Sequence, residues 1–192
     1  MKRLFALLLA AVLAVGLAGC GSPQDILNQA MGAGNGPGGV SAKDGYAEGR
    51  IGDTLSSVFF DFSVDSAEFV DEYAGYAPAA GNVLLDTVVT VKNTFGEELP
   101  MFNSDFQIQW GDGDEDYGYG VEGLTDSAIM PEEYTLKRAE SVTYHVVYEV
   151  PAGSSNFSVS FLEYFEDETE GDVFFIFFEL DPVESPASGV AL

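Results

Sequence analysis

The sequence has one cysteine, one histidine and only seven lysine and arginine residues among its 192 positions. With a single cysteine, Cys20, no disulfide can form within the chain, so a folded part must be stabilised by its core. One histidine and one cysteine cannot supply the several nitrogen and sulfur ligands of a zinc site. The scarcity of basic residues argues against nucleic acid as a partner, because phosphates are bound by clusters of Lys and Arg.

The sequence also lacks a long apolar segment other than Leu4 to Ala18. This run is shorter than the roughly 20 residues that a membrane-spanning helix needs. It follows a short positive stretch, Lys2 and Arg3, and ends in small residues, which is the layout of a secretory signal peptide. We therefore expect residues 1–19 to be a signal peptide and no segment to span a membrane.

Leu17-Ala18-Gly19-Cys20 closes the apolar run and resembles the lipobox of bacterial lipoproteins. The resemblance implies that a diacylglyceryl group joins the Cys20 thiol, that cleavage follows Gly19 and that the new amino terminus can be acylated, for example with palmitate. An ordinary signal peptide followed by an unrelated cysteine is the alternative. The first interpretation predicts a lipid-anchored protein at the cell membrane, facing outside the cytoplasm.

Acidic residues dominate the charge, with 32 Asp and Glu residues and a formal net charge of −25. Loss of Lys2 and Arg3 with the signal peptide changes this charge to −27. Anionic lipid repels such a chain, so acyl groups must hold it at the membrane. The charge itself has two interpretations, a solvated acidic surface or specific binding of divalent cations or a basic partner.

Composition divides the rest of the chain into three parts. Residues 20–50 are expected to form a flexible tether, because the stretch 31–39 is too rich in glycine to pack. A coil of that length spans about 30 Å, which exceeds the Debye length of about 8 Å at physiological salt. Residues 51–181 are expected to form one β domain, and residues 182–192 a disordered tail.

Alternation of apolar and polar residues from residue 51 onward is typical of antiparallel strands with one wet face. Val142, Tyr144 and Val146 show the pattern clearly. Turn residues separate about seven such runs, which favours a β-sandwich. The predicted strands are 58–64, 68–70, 82–92, 106–110, 141–150, 157–161 and 172–180, the last of them buried on both faces or paired on both sides.

Several motifs occur in a fixed order along this pattern. They are Gly52-Asp53-Thr54, the stretch 62–68, the stretch 87–94, Glu140-Ser141-Val142-Thr143 and Pro151-Ala152-Gly153. Together they resemble a widespread family of bacterial lipoproteins carrying an immunoglobulin-like domain of unknown function, similar in fold to a secreted mycobacterial immunoprotective antigen. The resemblance covers roughly residues 52–180. It implies an immunoglobulin-like antiparallel sandwich without enzyme activity, and it supplies no catalytic residues.

Within these motifs Asn93 has a structural interpretation. It follows a predicted strand and precedes Gly96 in a chain reversal. Its short amide can accept a backbone N–H of the turn and tolerates a left-handed conformation. We expect Asn93 to determine the fold and not to bind a ligand.

The acidic stretch 112–116 is the best candidate metal site and has no counterpart in the family. Asp112, Asp114 and Asp116 could converge oxygen ligands on calcium. The EF-hand pattern is absent, because its glycine and glutamate positions are occupied here by Tyr117 and Gly123. The alternative is an acidic hairpin tip that binds no metal. Calcium is therefore the candidate cofactor, and the sequence requires none.

Other candidate residues have structural interpretations beside functional ones. His145 should lie on the wet face of its strand, and no nucleophile motif supports a Ser-His-Asp triad. The acidic run 166–172 should be a hairpin connection that opposes aggregation. Tyrosines in predicted loops suit recognition of a protein or glycan, or packing over the ends of the sandwich; they are Tyr73, Tyr76, Tyr117 and Tyr119.

The expected function is therefore non-enzymatic binding; the alternatives are a cation-binding or envelope-sensing module and a surface hydrolase.

Overall fold

The computed structural model describes residues 39–185. The predicted signal peptide, Cys20, most of the tether and the last seven residues lie outside the described residues. A short 3₁₀ turn at Asn103–Asp105 accompanies the strands. The strands are β1 Val40–Ser41, β2 Tyr46–Arg50, β3 Thr54–Ser56, β4 Phe60–Val70, β5 Asn82–Asn93, β6 Leu99–Phe102, β7 Gln107–Gln109, β8 Tyr117–Gly118, β9 Glu133–Leu136, β10 Ser141–Pro151, β11 Asn156–Tyr164 and β12 Glu170–Glu179.

The strands form two five-stranded sheets and a separate two-stranded ribbon. Sheet A has the order β1-β3-β4-β5-β10, sheet B has the order β2-β12-β11-β7-β8, and β6 pairs with β9. The predicted all-β sandwich is thus confirmed. Between residues 39 and 185 there is no helix with the length and apolar character needed to cross a bilayer.

Strand pairing differs from the purely antiparallel prediction at one edge of each sheet. β1 runs parallel to β3, and β2 runs parallel to β12. The cause is the path of the chain, which reverses at Asp44-Gly45, where both residues have positive φ. That conformation is the one a two-residue hairpin turn requires, and an Asp-Gly pair supplies it at low cost. The turn lets residues 40–50 add one short strand to each sheet.

The expected domain boundaries therefore need correction at both ends. Residues 40–50 were predicted as tether, yet β2 pairs with β12 over its whole length. The pairing shows that these residues belong to the sandwich. At the other end, the tail expected from residue 182 onward begins with an ordered segment, because Gly153 N–H donates to Val183 O at 2.9 Å and Gly81 N–H donates to Ser185 Oγ at 3.1 Å.

Two predicted strands, 58–64 and 68–70, are one strand in the structure. β4 continues through an irregularity between Val64 and Ser66, which leaves Asp65 as the extra residue of a bulge. Asp65 is held there because its carboxylate accepts hydrogen bonds from the hydroxyls of Ser63, at 2.7 Å, and Thr90, at 2.6 Å. A polar residue at this point interrupted the apolar pattern and made one strand resemble two.

Phenylalanine rings from both sheets form the centre of the core. Phe60 and Phe62 of β4 contact Phe161 of β11, with ring centroids 4.6 and 6.2 Å apart. Phe106 lies 5.6 Å from Phe62 and is fully buried. Such side chains stabilise by about 1.5–3 kcal/mol each on burial. This apolar contact between the sheets replaces the disulfide that the chain cannot form.

The outer face of sheet A is covered by the chain itself. The connection between β4 and β5 folds into a small hairpin whose tip is Ala74-Gly75, with reciprocal hydrogen bonds between Tyr73 and Tyr76. This connection, residues 71–81, is called the covering loop below. Under it, Leu84 is fully buried although its position in β5 faces away from the core. The loop thus explains why apolar residues occupy outward positions here.

Candidate functional site

The outer face of sheet B forms the candidate site. Register places side chains from four strands in rows that cross the sheet, because directly opposed residues point to the same side. One row contains Tyr117, Gln109, Ser158 and Phe177. The next row contains Gln107, Ser160 and Phe175, beside Tyr119, whose hydroxyl lies 3.5 Å from Gln107 Nε2. We call these eight residues the aromatic face.

Two pairs of aromatic rings flank the serine and glutamine side chains at the centre of this face. Phe175 and Phe177 stack on each other with centroids 5.6 Å apart. Tyr117 and Tyr119 form an edge-to-face pair at 6.1 Å and are 44% and 52% exposed. Ser158, between the pairs, is short and nearly buried. A strip of polar side chains therefore separates the two aromatic pairs.

Charged residues border the aromatic face. Its eight residues contain no carboxylate or amine, in a chain with 32 acidic residues. Register continues its two rows onto the edge strand β2, where Arg50, directly opposite Phe177, places its guanidinium 5.3 Å from the centroid of that ring. Glu48, also on β2, is directly opposite Phe175. An apolar row of Tyr46, Val173 and Leu162 continues the face at one end.

The four tyrosines predicted for loops fall into two groups. Tyr117 lies in β8, so the loop prediction for Tyr117 is wrong, whereas Tyr119 lies just after β8 and outside a strand, as predicted. This strand is only two residues long, which hid it from pattern analysis. Tyr73 and Tyr76 do lie in a loop, where they pack over the outer face of sheet A.

A histidine–aspartate pair lies beneath the covering loop. His145 Nδ1 is 2.9 Å from both carboxylate oxygens of Asp86, which is 6% exposed. Burial raises the pKa of Asp86, and the hydrogen bond from His145 opposes that rise. The ring of Tyr73 packs on His145 at 5.8 Å. Within residues 39–185 the His145 ring hydrogen-bonds only to Asp86, so no serine completes a triad in this conformation.

His145 faces outward from its strand, as predicted, but its partner was not predicted. Asp86 interrupts an otherwise apolar, β-branched run in β5. A carboxylate in such a run is a signal of a buried polar partner, because an unpaired buried charge is costly. The sequence could not show that the partner is His145, 59 positions away.

Glu149 anchors the covering loop to sheet A. Its carboxylate accepts hydrogen bonds from Asn82 Nδ2 at 2.7 Å, Ala79 N–H at 3.0 Å and the Tyr76 hydroxyl at 2.5 Å. Burial alone would raise the pKa of Glu149, but these donors outweigh it and lower the pKa. Three donors from the loop and its end therefore hold this segment in one position.

The three aspartates predicted to bind calcium lie at a hairpin tip. Asp116 is engaged in the turn itself, since its Oδ2 accepts the Gly113 N–H at 2.9 Å and its backbone N–H donates to Gly113 O. Across residues 39–185 no three His, Cys, Asp or Glu side chains form a group able to hold a metal ion. Asp112, Asp114 and Asp116 are therefore not brought together as ligands, and calcium binding stays a prediction.

A cleft of about 400 Å³ lies between the 3₁₀ turn and the segment before β9. Asn103, Leu124 and Met130 line it, together with the carboxylate residues Asp126 and Glu132. Glu132 is partly engaged, because its Oε1 accepts the Gly123 N–H at 3.3 Å. Asp126 is engaged as well, since its Oδ1 accepts the Ala128 N–H at 2.8 Å.

Motif residues of the resemblance have structural roles. Asn93 Oδ1 accepts the Phe95 N–H at 2.8 Å, as predicted, and Asn93 Nδ2 donates to Glu97 O and Leu136 O at 2.8 and 2.9 Å. Asn93 adopts no left-handed conformation. In another motif, Asp53 Oδ2 accepts the Arg50 N–H in the turn between the sheets. These residues fix turns and contribute nothing to a binding site.

Solved structures share this fold at low sequence identity. A candidate lipoprotein (ycdA) of Bacillus subtilis matches with a TM-score of 0.50 and 18% identity, covering 67% of this chain and 38% of ycdA. The yjhA protein of the same organism gives 0.48 and 17%, with 59% and 81% covered. An uncharacterised β-sandwich protein of Clostridium difficile gives 0.43 and 16%, with 71% and 97% covered.

These likenesses concern the fold alone. The chain spans little more than a third of the length of ycdA. No protein-family model and no curated protein matches the sequence. The similarity to the mycobacterial antigen therefore stays a prediction, whereas the likeness of fold to ycdA is a finding.

Proposed function

We propose that this chain is a lipid-anchored protein outside the cytoplasm whose β-sandwich recognises a partner without catalysing a reaction. The Leu17-Ala18-Gly19-Cys20 motif after the apolar run supports the anchor. The description of ycdA as a candidate lipoprotein agrees with this proposal. Acyl chains are needed because the acidic domain gains no attraction from anionic lipid.

The aromatic face is the observation that supports recognition. Surface tyrosines and phenylalanines supply large contact areas at low entropic cost, and proteins use them at binding surfaces. Here four aromatic side chains lie together on the outer face of sheet B, and two of them, Tyr117 and Tyr119, are 44% and 52% exposed. The alternatives of cation binding and hydrolysis have no comparable surface in their favour.

Mass spectrometry of the membrane-extracted protein tests the anchor. The expected mass is that of a chain starting at Cys20 with a diacylglyceryl group. Replacing Cys20 by Ser should move the protein from the membrane to the soluble fraction, while a control change at Ser22 should not. Retention of residues 1–19, or an unmodified thiol at Cys20, would contradict the proposal.

Turnover measurements test the non-catalytic part. The purified full-length chain is incubated with a panel of ester, peptide and glycoside substrates, beside a His145→Ala variant. We expect equal background rates for both proteins. Turnover that disappears in the variant would show that the Asp86–His145 pair is catalytic.

A further inference from the structure

We infer that the ligand of the aromatic face is a neutral glycan, an inference that rests on the proposed recognition function and specifies its partner. The geometry that carries it is a strip of polar side chains between two pairs of aromatic rings, which we call the aromatic walls. Four observations bear on this: the spacing of the walls, the chemistry of the centre, the distribution of polar groups and the charge of the whole chain.

The two aromatic walls stand at the two sides of a short oligosaccharide. Tyr117 in β8 and Phe177 in β12 are separated by three strand-to-strand spacings, or about 14 Å. A sugar chain laid across the strands can therefore contact both rings at once. Ser158 lies between them, and its side chain is small and nearly buried.

The side chains match the two kinds of surface on a sugar ring. Pyranose rings present C–H groups on their faces, which pack on the electron-rich faces of Phe and Tyr rings. Their hydroxyl groups lie at the ring edges and need donors and acceptors. Gln107 and Gln109, both half-buried between the walls, provide amides with two donors and one acceptor oxygen each.

The arrangement is the reverse of an ordinary protein interface. Protein interfaces have an apolar, aromatic centre and a polar rim. Here Ser158, Ser160, Gln107 and Gln109 occupy the centre, and the aromatic pairs stand on either side. A protein partner would have to bury these amides, whereas a sugar chain would hydrogen-bond to them.

Charge selects against the other occupants. Two copies of a chain with formal charge −25 repel each other when their faces meet within the Debye length of about 8 Å. Anionic lipid is repelled for the same reason. A neutral glycan meets no such repulsion.

Calorimetry of the full-length chain with neutral tetrasaccharides tests the inference. The probes are tetramers of N-acetylglucosamine, glucose, xylose and mannose. We expect at least one to bind, and Tyr117→Ala and Gln109→Ala to weaken that binding roughly tenfold or more through loss of stacking or of hydrogen bonds. Tyr76→Ala, which truncates an aromatic side chain in the covering loop on sheet A, should leave the binding unchanged.

Binding to isolated cell envelopes separates this inference from the proposed function. If no tetrasaccharide binds but envelopes retain the wild-type chain and release Tyr117→Ala, the glycan inference is wrong and the recognition face stands. Envelope binding that protease treatment abolishes would identify a protein partner and likewise overturn the glycan. If neither probe binds, or Tyr76→Ala weakens binding as much as Tyr117→Ala, both the inference and the proposed face are refuted.

Discussion

Replacing Asn93 by aspartate should strongly destabilise this protein, although the two side chains have the same shape. Asn93 is 2% exposed and joins three segments of backbone. Its Oδ1 accepts the Phe95 N–H, and its Nδ2 donates to the carbonyls of Glu97 and Leu136. Aspartate keeps the acceptor but turns the donor into a second oxygen that faces two carbonyl oxygens at 2.8 and 2.9 Å.

The magnitude follows from what the change removes and what it buries. Each lost hydrogen bond costs about 0.5–1.5 kcal/mol, with more when a buried group is left unsatisfied. An uncompensated buried charge raises the total to about 3–5 kcal/mol. Domains are stable by only about 5–15 kcal/mol, so Asn93→Asp should consume much of the stability at pH 7. Asn93→Ala, which buries no charge, should cost less.

The effect of pH distinguishes buried charge from lost packing. The environment raises the folded pKa of an aspartate at this position above its unfolded value near 3.9. A group with a raised pKa contributes its stability below the unfolded pKa and loses it as pH rises through the folded pKa. The Asn93→Asp protein should therefore approach wild-type stability as pH falls from 7 to about 4, where its protonated carboxyl can donate one hydrogen bond.

Urea denaturation followed by the fluorescence of the single tryptophan, Trp110, measures these differences. Asn156→Asp is the matched control, because Asn156 is exposed, and it should change stability by less than about 0.5 kcal/mol. Asn93→Asp with the same stability as the control at pH 7 would contradict the prediction. A difference in unfolding free energy between Asn93→Asp and Asn93→Ala that does not change with pH would also contradict it.

Three further predictions concern turns and carboxylates. Ala74→Gly should raise the free energy of unfolding by about 0.5–1 kcal/mol, since Ala74 has a φ of 49° that favours glycine; a lower urea midpoint would contradict this. His145→Ala should cost about 1 kcal/mol at pH 7 by leaving Asp86 unpaired, and the cost should shrink in an Asp86→Asn background; additive losses in the double-mutant cycle would refute the coupling. Millimolar calcium should leave the thermal midpoint unchanged, because residues 112–116 form no ligand group; a shift that is lost on changing the three aspartates to asparagine would establish the predicted site.

Local patterns predicted the strands of this fold where one face of a strand is buried. β10 and β11 alternate because their inward residues pack between the sheets, so Val146 and Val159 are buried as expected. The first part of the acidic run, residues 166–169, lies in the connection between β11 and β12, as predicted, whereas residues 170–172 begin β12. β12 is paired on both sides, by β2 and β11, although only its inward residues are fully buried.

Pairing between distant segments could not be predicted in this way. Glu163 is 1% exposed and accepts hydrogen bonds from the Val58 N–H, 105 positions away, and from the Asp172 N–H. Burial raises the pKa of Glu163, and these two donors oppose the rise. In sequence this glutamate has the appearance of an exposed strand residue. The aromatic face was hidden for the same reason, because only strand register brings its residues together.

The two outer faces of the sandwich differ in whether the chain covers their apolar residues. This difference supports the assignment of recognition to sheet B. Sheet A buries its outward apolar residues under its own covering loop, which Glu149 fastens. Outward positions of sheet B impose no packing requirement, so an acidic chain could place carboxylates there and gain protection against aggregation. Glu48 is one such residue, but Phe175 lies directly opposite it, and Phe177 and two glutamines occupy other outward positions. The inward residues Phe174 and Ile176 already pack in the core, so the fold does not require aromatic residues on the outer side of β12, whereas a ligand would.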